Sequence, residues 1–573
     1  MNMRNTLLFF ILFATCVSLN GQNTRIHPEV TEGFLLANTQ DVIIVMDEQK
    51  VATPAVTAFL SKEEKGQLVF NQLTALADRT QASVRNYLVN QAVTHQAFHI
   101  VNALQASLTQ EQAQRIIGLS GVAEIIPNPW IKQDLGFIER QNQNLRVAIE
   151  WGVNTINAPG LWDLGFRGQG TVVGGQDTGY DFRHPAIVDQ YRGSIENDTL
   201  HDYNWHDAIR EINPFNGNPD NPCGLDVAEP CDDNNHGTHT MGTMVGDDGA
   251  GNQIGVAPAA QWIACRNMER GWGTPASYIE CFEWFLAPTK VDGTEPDPSK
   301  APHVIANSWS CPESEGCVPE NFDLVRTAIE NLRAAGVMVV TSAGNSGGQG
   351  CESVSTPPSI FAAAFAVGAT NIEDTIAGFS SRGPATISGD TILQPQVVAP
   401  GVQIRSSVRF NDYATFSGTS MSGPHTAGAV ALLISALPEL AGNVEGLERI
   451  FRESATPLFS GQDCGDYPGN QHPNAVYGYG LINRTAAYEL AQELVNTQES
   501  EVIAAIKISP NPTRGEVAIS VPADLQVTAY EVLDLTGAKL ITSSNARLNL
   551  AQLPTGIYLV RVVTEAGAVV RKV

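Results

Sequence analysis

The sequence predicts an α/β fold: a doubly wound parallel-sheet domain, preceded by a smaller α+β domain and followed by a small all-β sandwich. Between residues 145 and 495, apolar β-rich runs such as Thr171-Val172-Val173 and Gly336-Val337-Met338-Val339-Val340 alternate with helical stretches, the pattern of parallel strands joined by crossover helices. From 41 to 128 shorter strand-like and helical stretches also alternate. Beyond 501 the chain turns to short β-rich runs separated by turn signals. At 573 residues it is too long for one core, and length alone suggests about three or four domains.

In chain order, residues 1–21 read as a secretory signal peptide, with Arg4 near the start, an apolar run over 7–17 and small or polar residues before Gln22. Cys16 follows Phe13-Ala14-Thr15, a poor lipidation motif, and no other segment is apolar enough to span a bilayer. Residues 22–144 form the α+β region. Strands are expected at Val42-Ile43-Ile44-Val45 and Phe98-His99-Ile100-Val101, and Thr109 with Gln112 reads as a capping box opening a helix through Ile117. The central domain spans 145–495 and closes with Gly478-Tyr479-Gly480-Leu481-Ile482-Asn483. A polar linker covers 496–504, and 505–573 is the sandwich, with strands at 517–521, 530–533 and 558–563.

Inside the central domain, three stretches carry chemistry: Gln176-Asp177-Thr178-Gly179, His236-Gly237-Thr238-His239 and Gly418-Thr419-Ser420-Met421-Ser422-Gly423-Pro424-His425. A serine hydroxyl is a weak nucleophile until an imidazole takes its proton and a buried carboxylate fixes that imidazole's tautomer. Ser420, His236 and Asp177 are candidates for those roles. Asp177 follows a β-rich run and is expected at the carboxyl end of a strand, where open α/β sheets hold their sites. Apolar residues 427–437 read as a helix with Ser420 at its amino end, where unpaired N–H groups favour a developing oxyanion, and Pro424 is expected in its first turn. The order Asp, His, Ser differs from that of chymotrypsin-like barrels and α/β-hydrolases. Ser422 also stands where G-x-S-x-G requires glycine.

At these residues the chain resembles the subtilase family (peptidase S8), and within it the bacillopeptidase F-like branch, judged from Trp151-Gly152-Val153-Asn154 and Asn307-Ser308-Trp309. The resemblance implies a serine-type endopeptidase needing no cofactor for catalysis, with Asn345 in Thr341-Ser342-Ala343-Gly344-Asn345 donating to the oxyanion. It implies substrate binding by strand addition between Ser308-Trp309-Ser310 and Gly271-Trp272-Gly273, with Ala343-Gly344 and Ser355-Thr356 lining the primary pocket. No acidic residue falls at that pocket's floor, although Glu352 is close in sequence, so a neutral or apolar residue is expected before the cut. Gln176, Trp309, Ser310 and Ser422 depart from the family pattern. The resemblance further implies that 22–144 is an inhibitory, ferredoxin-like propeptide whose tail near Pro127-Asn128-Pro129-Trp130 occupies the cleft of a zymogen. An amino-terminal domain that stays attached fits the same pattern.

The last segment resembles the carboxy-terminal sorting domain of the type IX secretion system, through Ser509-Pro510-Asn511-Pro512-Thr513, Leu535-Thr536-Gly537, Leu553-Pro554-Thr555-Gly556-Ile557-Tyr558 and Arg571-Lys572-Val573. This implies the secretion machinery as a partner and a secreted or cell-surface destination across an outer membrane. A substrate-binding or carbohydrate-binding module is the alternative. Of nine cysteines, all but Cys16 lie in the central domain, an even set that suggests disulfides in an exported chain. Proximity recommends Cys223 with Cys231, Cys311 with Cys317 and Cys265 with Cys281, leaving Cys351 with Cys464. A net charge of -26 argues against nucleic-acid partners but does not name the substrate, and protein or peptide substrates are what the subtilase resemblance implies. Asp247, Asp248 and Asn252 stand where many subtilases hold calcium, with a solvated turn as the alternative, and Asp232 and Asp233 raise the same question. His184, His239 and His425 read as packing residues, since H-E-x-x-H is absent. Two other functions share these features: a catalytically silent surface or adhesive protein on the same scaffold, and a processing protease dedicated to one target.

Overall fold

The computed structural model describes residues 25–50, 60–139, 149–196, 198–387, 389–498, 506–521, 527–564 and 567–573. The expected signal peptide over 1–21 and linker residues 499–504 lie outside them. Among the described residues no helix is long and apolar enough to cross a membrane.

The central sheet has seven strands: β1 Val172–Asp177, β2 Trp205–Asp207, β3 Gln261–Arg266, β4 Val304–Asn307, β5 Met338–Ser342, β6 Phe365–Thr370 and β7 Val397–Pro400. They are all parallel and lie in the order β2-β3-β1-β4-β5-β6-β7. Four helices matter most to the site: α1 His236–Val245, α2 Pro275–Leu286, α3 Pro319–Ala334 and α4 Thr419–Ala436. Alternation within β4 assigns the layers. Val304 and Ala306 pack with Met241 and Met244 of α1 and Ala427 and Val430 of α4, while Ile305 packs with Ile279 of α2 and Leu332 of α3. In α3, Leu324, Val325, Ala328, Ile329 and Leu332 form a buried stripe at helical spacing. By contrast α4 is buried all round, from Thr419 to Ile434, as an apolar helix through the middle of a domain must be. The chain leaves β1, builds β2 and β3 on one side and then crosses to β4 on the other. The carboxyl ends of β1 and β4 therefore flank the reversal where ligands bind in open sheets.

The amino-terminal region forms a four-stranded antiparallel sheet, in the spatial order His95–Phe98, Ala103–Thr109, Thr39–Met46, Val122–Pro127. With helices Lys62–Thr80 and Gln110–Ile116 in the two crossovers, this is the ferredoxin-like arrangement. The Thr109 capping box is present, with both reciprocal bonds to Gln112. The expected strand over 98–101 ends at Phe98 instead. The Glu283 carboxylate of α2 accepts the N–H groups of His99 (2.5 Å) and Ile100 (2.9 Å), so these amides bind the central domain and leave the ladder. Val69, Leu73, Phe98 and Ile100 join the core formed by α2 and α3.

Two buried lysines cross the same interface. Lys62 Nζ donates to the carbonyl of Ala301 and Lys65 Nζ to that of Gly442, each at 2.7 Å. Burial pushes the Lys62 ammonium down from 10.5 to about 8. Between those values the docked region binds fewer protons than the undocked one, so docking tightens as pH rises through that window, and below pH 8 the cost of burying the charge is fully present. Denaturant unfolding of the full chain at pH 8 and pH 10.5 is expected to show this gain, at most about 3 kcal/mol, and Lys62→Gln is expected to remove it. Parallel pH profiles for the two chains would contradict the assignment.

At the carboxyl end, a three-stranded sheet (Lys507–Ser509, Glu516–Ser520, Arg547–Asn549) faces a four-stranded one (Val527–Leu533, Lys539–Ser543, Leu559–Thr564, Gly567–Lys572). Val517, Ile519 and Leu548 from the first meet Tyr530, Val532, Val560 and Val562 from the second, giving the expected sandwich. The disulfides are Cys223–Cys231, Cys265–Cys281 and Cys311–Cys317, the three pairs that proximity suggested, and Cys351–Cys464, the pair left over.

Candidate active site

Asp177 closes β1 and is 2% exposed. Its carboxylate accepts the N–H of Thr178 at 2.7 Å and lies 2.8 and 2.9 Å from Nδ1 of His236, the first residue of α1. Carboxylate oxygens are acceptors, so Nδ1 is the donor of this pair. Nε2 is buried without a hydrogen-bond partner among the described residues. Two glycines permit the approach of strand and helix: a Cβ on Gly237 would lie 2.1 Å from the carbonyl oxygen of Gly179, and one on Gly179 would lie 1.8 Å from that of Cys231.

Asp232 explains how His236 is held. One oxygen accepts the Thr178 hydroxyl and the N–H groups of Asn234 and Asn235. The other accepts the N–H and hydroxyl of Thr238, in the first turn of α1. Asp233 accepts from Asn221 and from the N–H of Arg270, and burial pushes its carboxyl up to about 7. Asp232 braces α1, and Asp233 braces the turn at Arg270 that leads into the strand Trp272–Gly273. Gln176, polar at an aliphatic position, pairs with Asn307 on β4 and accepts from Asn267 at 3.1 Å, so its burial is hydrogen-bonded.

Ser420, 2% exposed, is the second residue of α4. Pro424 lies in the second turn of that helix, not the first. Its missing N–H frees the Ser420 carbonyl from the helical ladder, and the Ser308 hydroxyl donates to that carbonyl at 3.4 Å. Asn345 sits after β5 with its orientation set by α4. Its Oδ1 accepts the N–H (2.9 Å) and hydroxyl (3.0 Å) of Thr419, which requires the oxygen on that side and turns Nδ2 outward. Nδ2 donates to the carbonyl of Asp134 at 3.4 Å.

That carbonyl belongs to a stretch of the amino-terminal region lying along a cleft of about 570 Å³. Ser308, Trp309, Ser310, Ala343, Gly344, Ser355 and Thr356 line it, together with Asn345 and Ser420. Glu352 does not line it. The opposite edge is Gly271-Trp272-Gly273: Lys132 pairs antiparallel with Trp272, Ile131 with Gly273, and the Gln133 N–H donates to Gly271 at 2.8 Å. Beyond Asp134 the chain turns, its carboxylate accepting the Gly136 N–H at 3.2 Å, and residues 137–139 pair with 415–417. Lys132, Gln133 and Asp134 thus line the cleft. The expected stretch 127–130 passes beside it, where Asn128 accepts the Ala276 N–H in the first turn of α2.

Asp247, Asp248 and Asn252 form a closed turn. Asp248 accepts the N–H groups of Ala250 and Asn252, the Asn252 amide and the Tyr413 hydroxyl. Asp247 accepts from Gly249 and Arg167, and Asn252 Oδ1 takes the Arg405 guanidinium at 2.7 Å. With two guanidinium groups on these oxygens the set does not fit calcium. Among the described residues no group of three or more His, Cys, Asp or Glu could hold a metal ion. His239 contacts the carbonyls of Ile404 and Ala414 and stacks on Phe416, and burial lowers it to about 3. His425 contacts the Met421 carbonyl and is lowered to about 4. His184 contacts the Asp412 carbonyl. These imidazoles are neutral packing groups.

Sequence reasoning missed Thr419 as the group that orients Asn345, although it sits inside the serine motif. It also missed Gln133, Asp134 and Glu315, which carry no motif.

Residues 168–480, more than half the chain, match the family model described as Subtilase family. Residues 507–573 match that of the secretion system C-terminal sorting domain. The chain is similar to Bacillopeptidase F of Bacillus subtilis (strain 168), 34% identical over 475 residues, 79% of this chain and 31% of that protein. It thus spans about a third of that relative's length. Subtilisin E of the same organism is 26% identical over 68% of this chain and 81% of its own. The alkaline protease of Shouchella clausii is 26% identical over 79% and 98%.

Proposed function

Since the chain belongs to the subtilase family of serine peptidases, we propose that it is a secreted endopeptidase made as a zymogen, acting through Ser420, His236 and Asp177. The observation that carries this reading is Asn345: its amide is locked by Thr419 and donates to a peptide carbonyl of a strand-paired segment in the cleft. Ser420 Oγ attacks the carbonyl carbon as His236 Nε2 takes its proton, and Asp177 steadies the imidazolium through Nδ1. The oxygen that becomes negative is stabilised by Asn345 Nδ2 and the Ser420 N–H at the start of α4. His236 then protonates the leaving amine, and water, activated the same way, hydrolyses the acyl-enzyme. No metal or cofactor enters these steps. The endopeptidase reading is favoured over a silent scaffold because the Asp177–His236 pair is formed and Nε2 is held by no other group among the described residues.

In this reading the region ending near Asp134 is the inhibitory propeptide, and the chain's first substrate is itself. Asn345 selects the Asp134–Leu135 bond, which places an acidic residue before the cut where a neutral or apolar one was expected, so the purified full chain is expected to cut itself there and release a mature species beginning at Leu135. Hydrolysis of an unrelated denatured protein should begin as that cut accumulates. Terminal sequencing checks this, and a mature first residue outside 135–137 would contradict it. The carboxy-terminal module is a sorting domain, which directs export across the outer membrane to the surface or the medium.

A further inference from the structure

We propose that Glu315 is a substrate-binding and specificity residue: it holds the main-chain N–H of the third residue before the cut and, with Glu313, selects a basic side chain there. The proposal rests on the serine-peptidase reading above and deepens it to a substrate class.

In strand addition, an enzyme strand on each side of the peptide ordinarily supplies main-chain partners. Here only the 272–273 edge does so for residues 131 and 132. On the other side the main chain of Ser310 is already occupied by a side chain. Its N–H donates to Gln133 Oε1 at 2.6 Å, and its carbonyl accepts Gln133 Nε2 at 2.8 Å. The Lys132 N–H donates instead to the Glu315 carboxylate, at 2.7 Å. Glu315 sits in a short loop closed by the Cys311–Cys317 disulfide, whose sulfurs are buried with Ile131. The loop is thereby anchored at both ends beside the residue that precedes Lys132.

Charge points the same way. Glu313 and Glu315 both line the cleft, and Lys132 is the only cation among its lining residues, within electrostatic reach of Glu315. Once the amino-terminal region leaves, that wall carries two carboxylates and no cation. A lysine or arginine at the same position of another substrate brings a cation beside those carboxylates, an acidic residue meets repulsion, and proline has no N–H to offer.

The test uses the self-processed chain and peptides identical except at the third position before the cut, with active sites counted by a fluorophosphonate titrant. Lysine is expected to exceed alanine about fivefold and glutamate about 20-fold in kcat/KM, with proline at least about tenfold below alanine. Glu315→Gln keeps an acceptor oxygen without charge, so it should flatten the lysine preference yet still reject proline, whereas Glu315→Ala should lose both. Equal rates for lysine, alanine and glutamate in fully titrating enzyme, or an unchanged profile in Glu315→Ala, would overturn the proposal alone. If no serine titrates, the serine-peptidase reading falls and takes the proposal with it.

Discussion

Replacing Ser420 by alanine is expected to lower peptide hydrolysis by about 10⁶-fold, the scale seen when the serine of a subtilisin is removed. The loss is this large if, as proposed, Asp177, His236 and Ser420 act as a unit: without the hydroxyl, Nε2 has no proton to take and the carbonyl no nucleophile to meet. A second consequence follows from the cleft. The Ser420→Ala chain should stay whole, with residues 131–132 paired to the 272–273 edge and the amino-terminal sheet docked on α2 and α3. Ser420 is small and already inside α4, so this variant should unfold at the same denaturant concentration as uncut wild type. A chain that still releases its amino-terminal region without added protease would show that another group cuts it.

Replacing Asn345 by alanine should cost about 10²- to 10³-fold in kcat with little change in KM, the handicap measured for loss of the equivalent donor in a subtilisin. Its Nδ2 approaches the Asp134 carbonyl at 3.4 Å, a long contact for a ground-state hydrogen bond, so the bond has room to shorten as that oxygen gains charge. A complementary effect is expected at Thr419. Thr419→Val removes the hydroxyl that, with its own N–H, holds Asn345 Oδ1, and should reproduce part of the kcat loss without touching the substrate. Steady-state kinetics on the processed variants measure both. A loss confined to KM would assign Asn345 to general binding.

Much of this was legible in the sequence because its signals are local. The run before Asp177, the small-residue helix after His236 and the apolar helix after Ser420 announce themselves by period and composition, and each forms as expected. The Thr109 capping box needs only residues three apart. What was not legible depends on partners distant in the chain. The strand expected over 98–101 stops at Phe98 because Glu283, far along the chain, captures its next two amides. Pro424 was expected one turn too early because the helix begins at Thr419, set by Asn345 receiving the Thr419 N–H. The acidic turn at 247–252 resembles a cation site in composition, yet Arg167 and Arg405 reach it from elsewhere in the fold. Glu315 and Asp134 belong to no motif, and only the tertiary pairing of 131–132 with 272–273 brings them to the cleft.

The proposed role of Ser420, a nucleophile activated by His236 and covered by the chain's own amino-terminal region, is tested by covalent labelling with a fluorophosphonate, located by peptide mass spectrometry, before and after self-processing. One adduct is expected, on Ser420, that is scarce in the intact chain, rises in step with the appearance of the Leu135 terminus and is absent from His236→Ala. Folded, processed protein that takes up no label, or label on a different serine, would contradict it.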